Sequence, residues 1–130
     1  MRNEFTILIA DRNRHVREFF CREFTAEGYR VVAARDSREV LAIIDGDTPP
    51  DLLILDLEIP HRGGLEVLER LRERGPHVPV VIHSFVTENF NHPAVQGTAA
   101  FVEKSGNNIN HFRATIREVL RKHYPHRFTK

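Results

Sequence analysis

The chain reads as a doubly wound α/β domain on a five-stranded parallel sheet, and three observations lead there. Leu52-Leu53-Ile54-Leu55 is an apolar run without alternation, the pattern of a strand covered on both faces. Similar short runs recur at Ile7–Ala10 and Val80–Ile82, separated by segments with helical spacing. That alternation specifies parallel strands joined by right-handed crossovers. Finally, 130 residues suit one domain, and five strand–helix units fall short of the eight of a barrel.

The elements follow in order. Thr6–Ala10 is a first strand, and Asp11-Arg12-Asn13 turns the chain. Residues 14–27 place Val16, Phe19, Phe20 and Phe24 on one helical face, and Gly28 stops that helix. Arg30–Ala34 is a second strand. Asp36 caps the next helix with Glu39 three residues on, as in a capping box, and Val40, Leu41 and Ile44 point inward. Asp47-Thr48-Pro49-Pro50 precedes a third strand, Asp51–Asp56. Gly63-Gly64 opens a helix with Leu65, Leu68 and Leu71 inward, and Gly75-Pro76 closes it. Val78–Ser84 and Ala99–Glu103 are the last two strands. Between them Pro93 and the polar Glu88-Asn89-Phe90-Asn91-His92 leave room for at most a short helix. Residues 110–123 form a final helix with Phe112, Ile116, Val119 and Leu120 inward.

Composition narrows the function classes. Hydrophobic residues make up 41% of the chain, which is not the composition of a disordered segment. The single cysteine, Cys21, excludes an internal disulfide and reads as a packed or half-buried thiol in a reducing compartment. No apolar run approaches the ~20 residues of a membrane span, and no secretory leader is evident, so a cytoplasmic location with no membrane partner is expected. Residues 1–106 carry 13 basic and 17 acidic side chains, whereas residues 107–130 carry 6 basic and 1 acidic. The positive end lacks the pattern of a DNA-reading module, so no direct nucleic-acid contact is expected. The eight histidines are scattered, and His123 with His126 lacks the companions of a metal site. Glu66 and Arg70, spaced i, i+4, read as a solvated helix pair.

The chemistry gathers at the carboxyl ends of the strands, the edge where open α/β sheets build their sites. Asp56 ends the third strand, and an acid there is costly to bury without a partner. Asp11 follows the first strand, Ser84 ends the fourth and Lys104 follows the fifth. Two acids, a hydroxyl and a lysine on one edge suit a metal ion and a phosphoryl group.

Laid out this way, the chain resembles the receiver domain of bacterial two-component response regulators over residues 4–124, with 125–130 as a basic tail. The resemblance rests on Ile7–Asp11, on Asp51 through Asp56 to Pro60, on Gly64 four residues later, on Ser84, and on Gly97 through Phe101 to Lys104. It implies a flavodoxin-like sandwich with strand order 2-1-3-4-5. It also implies a signalling module that accepts a phosphoryl group from a histidine kinase or histidine phosphotransfer protein, and no enzyme beyond its own phosphorylation and dephosphorylation. On it, Asp56 is the phosphoacceptor, and Asp11, Asp56 and the backbone carbonyl of Glu58 hold Mg²⁺. Ser84 and Lys104 bind the phosphoryl oxygens, and Ser84 and Phe101 form the switch. A downstream partner or second copy is expected at strand 5 and the last helix, where Arg113, Arg117 and Arg121 make a basic stripe.

Four positions depart from that family. Arg12 stands where a second acid is usual, and Phe85 where a small residue is usual. The segment from Ser84 to Gly97 is short, and Ser105 stands where proline is usual. They favour a second reading, a phosphorylation-independent pseudo-receiver that binds protein partners. A haloacid-dehalogenase-like phosphatase would need an aspartate where Glu58 stands, and a dinucleotide-binding protein a Gly-x-Gly-x-x-Gly after the first strand.

Overall fold

Five strands of four or five residues give the computed structural model its sheet, and the structure describes residues 4–74, 78–85, 91–104 and 109–128. In chain order the elements are β1 (Thr6–Ala10), α1 (Arg14–Ala26), β2 (Arg30–Ala34), α2 (Ser37–Ile44), β3 (Leu52–Leu55), α3 (Gly63–Glu73), β4 (Val80–Ser84), α4 (Pro93–Gln96), β5 (Ala100–Glu103) and α5 (Ile109–His123), then a 3₁₀ turn at Pro125–Phe128. The strands are parallel in the order β2-β1-β3-β4-β5. That is the expected doubly wound order, with β1 and β3 central.

The alternation of side chains along each strand splits the core into two layers. Leu8, Leu53, Leu55 and Ile82 face one way, into α2, α3 and α4 with Val40, Val67, Leu68 and Val95. Ile7, Ile9, Ile54 and Val81 face the other way, into α1 and α5 with Phe20, Phe24, Phe112 and Ile116. β3 is buried along its whole length, as an uninterrupted apolar run requires.

Helix ends match their sequence signals closely. Asn13 caps α1 by accepting from the amides of His15 and Val16. Gly28 then takes φ 99°, a conformation only glycine adopts freely. Asp36 accepts from the Glu39 amide at 3.0 Å, while Glu39 Oε1 accepts from the amide of Arg35, one residue before the cap. The short helix allowed between β4 and β5 is α4, with Pro93 in its first turn, where a missing N–H costs nothing. No helix among the described residues is long and apolar enough to cross a membrane.

Several expectations shift. β3 and β4 are shorter than read, because Asp51, Asp56 and Val78-Pro79 lie outside the ladders. Phe19 does not join the buried face of α1; it is 38% exposed. Val67, not Leu65, is fully buried on α3. The stop at Gly75-Pro76 lies outside the described residues, and α3 ends at Glu73 with Arg74 after it.

The segment read as a tail packs back onto the domain through Phe128. Arg127 donates from Nη1 to Asp51 Oδ1 at 2.8 Å and from Nη2 to the Glu4 carbonyl at 2.9 Å. Tyr124 donates to the Asp51 carbonyl, and the Phe128 ring stacks on Phe5 at 5.5 Å.

Candidate functional site

Parallel pairing carries the four chemical groups to one edge. Ala10 lies opposite Leu55, Leu55 opposite Ile82, and Ser84 opposite Glu103. The residues that follow, Asp11, Asp56 and Lys104, therefore emerge side by side with Ser84. The Asp56 amide donates to the Ala10 carbonyl and the Lys104 amide to the Ser84 carbonyl, both at 2.9 Å.

Asp11 and Asp56 are almost completely buried, at 2% and 1% exposure. Burial on this scale requires partners. Lys104 Nζ lies 3.1 Å from Asp11 Oδ2 and 3.4 Å from Asp56 Oδ2, so one ammonium serves both acids. Backbone amides supply the rest: Asn13 donates to Asp11 Oδ1 at 2.8 Å, and Glu58 donates to Asp56 Oδ1 at 3.0 Å. Burial pushes the Asp11 carboxyl above its usual range. The Asn13 amide and Lys104 pull the other way, and the charge on Asp56 adds to the rise.

Arg12 turns inward. Its Nε lies 3.6 Å from Asp56 Oδ2 and its Nη1 2.9 Å from Glu58 Oε1, and its amide donates to Asp56 Oδ2. The guanidinium bridges the two acids on the outer side of the site with 42% of its side chain in solvent. The Arg12 side chain thus meets Asp56 instead of pointing away into solvent.

The remaining expected residues fall as follows. Ser84 is buried at the edge, 1% exposed. Phe101 is half-buried and packs into the α2–α3–α4 layer. Phe85 is 46% exposed, and its ring lies 5.8 Å from Lys104 Nζ, over the outside of the site. Ser105 lies outside the described residues. The arginine stripe does not form one free surface. Arg113 is tied to Glu23 and Glu27 on α1, in the layer opposite Phe101, and Arg121 lies over the Phe128 ring and beside Glu118. Arg117 stays exposed. Glu66 pairs with Arg70 at 3.7 Å, as its spacing suggested, and Cys21 is half-buried, its thiol pushed up by burial.

One neighbour of the site escaped the sequence reading. His83 is buried beside Lys104, packed edge-on against Phe20 at 5.1 Å and against Phe112 at 4.9 Å. Desolvation, helped by the Lys104 charge, drops its pKa to about 4, against a smaller opposing pull from Asp56. The signal was a polar residue inside an apolar run, Val80-Val81-Ile82-His83.

Among the described residues no group of three acids, histidines or cysteines is arranged as a metal site, but the chemistry of the two buried carboxylates suits a hard divalent ion. Asp11 and Asp56 present buried oxygens, and with Glu58 there are three acids against the two cations Arg12 and Lys104. The fit requires Arg12 to give up its contact with Asp56. Replacing Arg12 with aspartate is therefore expected to tighten Mg²⁺ binding by roughly tenfold or more, because the local charge changes by two units at close range, discounted for solvent screening. A titration followed by isothermal calorimetry checks this; unchanged affinity would mean that the guanidinium exerts no field on the ion.

Comparison with known proteins places the chain in a class of signalling domain. The model of the response regulator receiver domain family matches residues 7–121. The chain belongs to that family. It is 41% identical over 76 residues to response regulator MprA from Mycolicibacterium vanbaalenii, covering 58% of this chain and 32% of that protein. It is 38% identical over 78 residues to response regulator RR06 from Streptococcus pneumoniae, covering 60% of this chain and 35% of that one. Among solved structures, response regulator TrrA from Thermotoga maritima, in complex with Mg²⁺-BeF, superposes with TM-score 0.77 at 25% identity, covering 92% of this chain and 99% of that one. The BeF₃-activated receiver domain of RstA from Klebsiella pneumoniae gives TM-score 0.78 at 20% identity, covering 89% and 98%. The chain spans about a third of the length of the curated relatives it matches. They lend no support to the expected absence of a nucleic-acid partner.

Proposed function

We propose that this domain accepts a phosphoryl group on Asp56 from a phosphohistidine of a histidine kinase or histidine phosphotransfer protein, in the cytoplasm, and so alters a protein-binding surface. The carrying observation is the convergence of buried Asp11 and Asp56 on one lysine ammonium at the carboxyl edge of the sheet. An Asp56 oxygen attacks phosphorus, the P–N bond to the donor imidazole breaks, and the imidazole leaves with the bonding pair. The backbone amide of Glu58 holds the other Asp56 oxygen and orients the attacking one. Lys104 offsets charge on the transferred group, and Ser84 is placed to hydrogen-bond it. Mg²⁺, held by Asp11, Asp56 and the Glu58 carbonyl with Arg12 moved aside, supplies further charge neutralisation when bound. Phosphorylation replaces the single negative charge of the Asp56 carboxylate with a phosphoryl group carrying about −1.5 to −2. That charge draws Lys104 and the Ser84 hydroxyl toward it and shifts the packing of Phe101 on β5.

Arg12 favours a second reading. A guanidinium already neutralising Asp56 and Glu58 suits a pseudo-receiver that binds its partner without phosphorylation. Incubation with Mg²⁺ and acetyl phosphate, read by intact mass, separates the two. The first reading expects one added phosphoryl mass, lost in Asp56→Asn; no added mass in the native chain would favour the pseudo-receiver.

A further inference from the structure

The two oxygens of Asp56 are held differently. Oδ1 accepts from the Glu58 amide at 3.0 Å. Oδ2 has three looser neighbours: the Arg12 amide at 3.3 Å, Lys104 Nζ at 3.4 Å and Arg12 Nε at 3.6 Å. The loosely held oxygen is the one free to form a new bond, and both side chains beside it are cations. Asp56 is 1% exposed, so a group joined to Oδ2 extends toward solvent. Arg12 is the more exposed of the two cations, at 42% against 10% for Lys104, and stands on that outward side.

Arg12 is kept there by a second acid. Its Nη1 lies 2.9 Å from Glu58 Oε1, a closer contact than its own to Asp56. Glu58 also fixes Oδ1 through its amide, so one residue sets both the acceptor carboxylate and the cation over it. The contact to Glu58 engages one nitrogen of a planar fork with five N–H donors, a shape that takes phosphate oxygens in pairs. Nε is too far from Oδ2 for a hydrogen bond and reaches Asp56 only through charge. An oxygen carried outward from Oδ2 comes within closer reach of it.

We propose that Arg12 binds the phosphoryl group on Asp56, sharing its oxygens with Lys104, so that the site accepts and holds the group without a divalent ion. The proposal rests on Asp56 as the phosphoacceptor and adds a second cationic ligand to the transferred group. An acid at position 12 would repel incoming phosphoryl oxygens, whereas a guanidinium attracts them directly. With acetyl phosphate as donor, Asp56 Oδ2 attacks phosphorus, the P–O bond to acetate breaks, and acetate leaves with the bonding pair. Arg12 and Lys104 offset the charge on the transferred oxygens throughout.

The test is incubation of the 130-residue chain with acetyl phosphate and a chelator, read by intact mass, beside the same reaction with Mg²⁺ in excess. One phosphoryl mass is expected in both, absent in Asp56→Asn. Arg12→Gln should slow the metal-free reaction by roughly tenfold or more, the effect of losing one charged hydrogen bond. Arg12→Lys should recover part of that rate, because it restores the charge without the fork. Mg²⁺ should rescue Arg12→Gln, which also shows that the variant is folded. Binding gives a readout independent of turnover: fluoroberyllate, an anion shaped like a phosphoryl group, should show a bound fluorine NMR signal on the native chain without Mg²⁺ and none on Arg12→Gln. Phosphoryl mass only with Mg²⁺, equal metal-free loading in Arg12→Gln and the native chain, or a bound signal undiminished in Arg12→Gln would each overturn the role of Arg12 and leave Asp56 as acceptor. No added mass under either condition would overturn both.

Discussion

Between pH 6.5 and about pH 4 the domain is expected to lose roughly 3 kcal/mol of stability through one side chain, His83. In the unfolded chain its imidazole titrates near the ordinary value. In the folded domain Phe20, Phe112 and the Lys104 ammonium hold it neutral to about pH 4, with Asp56 opposing weakly. The unfolded state therefore binds the proton first as pH falls. The stabilisation is complete above pH 6.5, declines through the window and is gone below about pH 4. Asp11 acts with the opposite sign: its carboxyl is raised in the folded state, so protonation there favours folding as pH falls. Comparison with His83→Phe isolates the histidine. Urea unfolding at pH 7 and pH 4.5 should show a smaller acid loss in the variant than in the native chain; equal losses would mean that His83 reaches its proton without unfolding.

Gly64→Ala is expected to destabilise the domain by roughly 1–3 kcal/mol and to disturb the site with it. A Cβ at Gly64 would meet the Leu57 Cα at 2.7 Å and the Asp56 carbonyl oxygen at 3.1 Å. The obstacle is backbone, which cannot rotate away as a side chain can. The first turn of α3 would have to lift, breaking the 2.9 Å bond from the Gly64 amide to the Leu57 carbonyl, or the Asp56-Leu57 segment would have to shift. Either movement displaces the Glu58 amide that fixes Asp56. Denaturant unfolding and phosphoryl loading with acetyl phosphate should both be impaired, and a variant normal in both would show that α3 yields at no cost.

The sheet was legible because β1, β3 and β4 announce burial by unbroken apolar runs, and because the segments between them keep a helical period. The same runs made Asp11, Asp56 and Lys104 conspicuous as charges at strand ends, and parallel register then brings them together. Periodicity was a poorer guide to what an exposed or half-exposed side chain meets. Phe19 fits the apolar face of α1 by spacing but lies at its margin, beyond the reach of the sheet. Arg113, Arg117 and Arg121 share a helical stripe, yet only the neighbouring helix decides that Arg113 finds Glu23 and Glu27. Arg12 sits at a turn, where no period indicates direction, and Glu58 draws it inward. His83 looked like one polar interruption in a strand, because the rings that enclose it come from α1 and α5, far away in sequence.

The contacts of Arg127 bear on the order in which the domain folds. They join residues 123 positions apart at Glu4 and 76 apart at Asp51. Closing loops of that length costs more entropy than any neighbouring strand pairing, so these bonds form late. During synthesis the amino-terminal ends of β1 and β3, with the Phe5 ring and the Asp51 carboxylate, remain uncovered until residue 128 has emerged. Tyr124, Arg127 and Phe128 thus act as a latch, shut only when the sheet beneath is already in place.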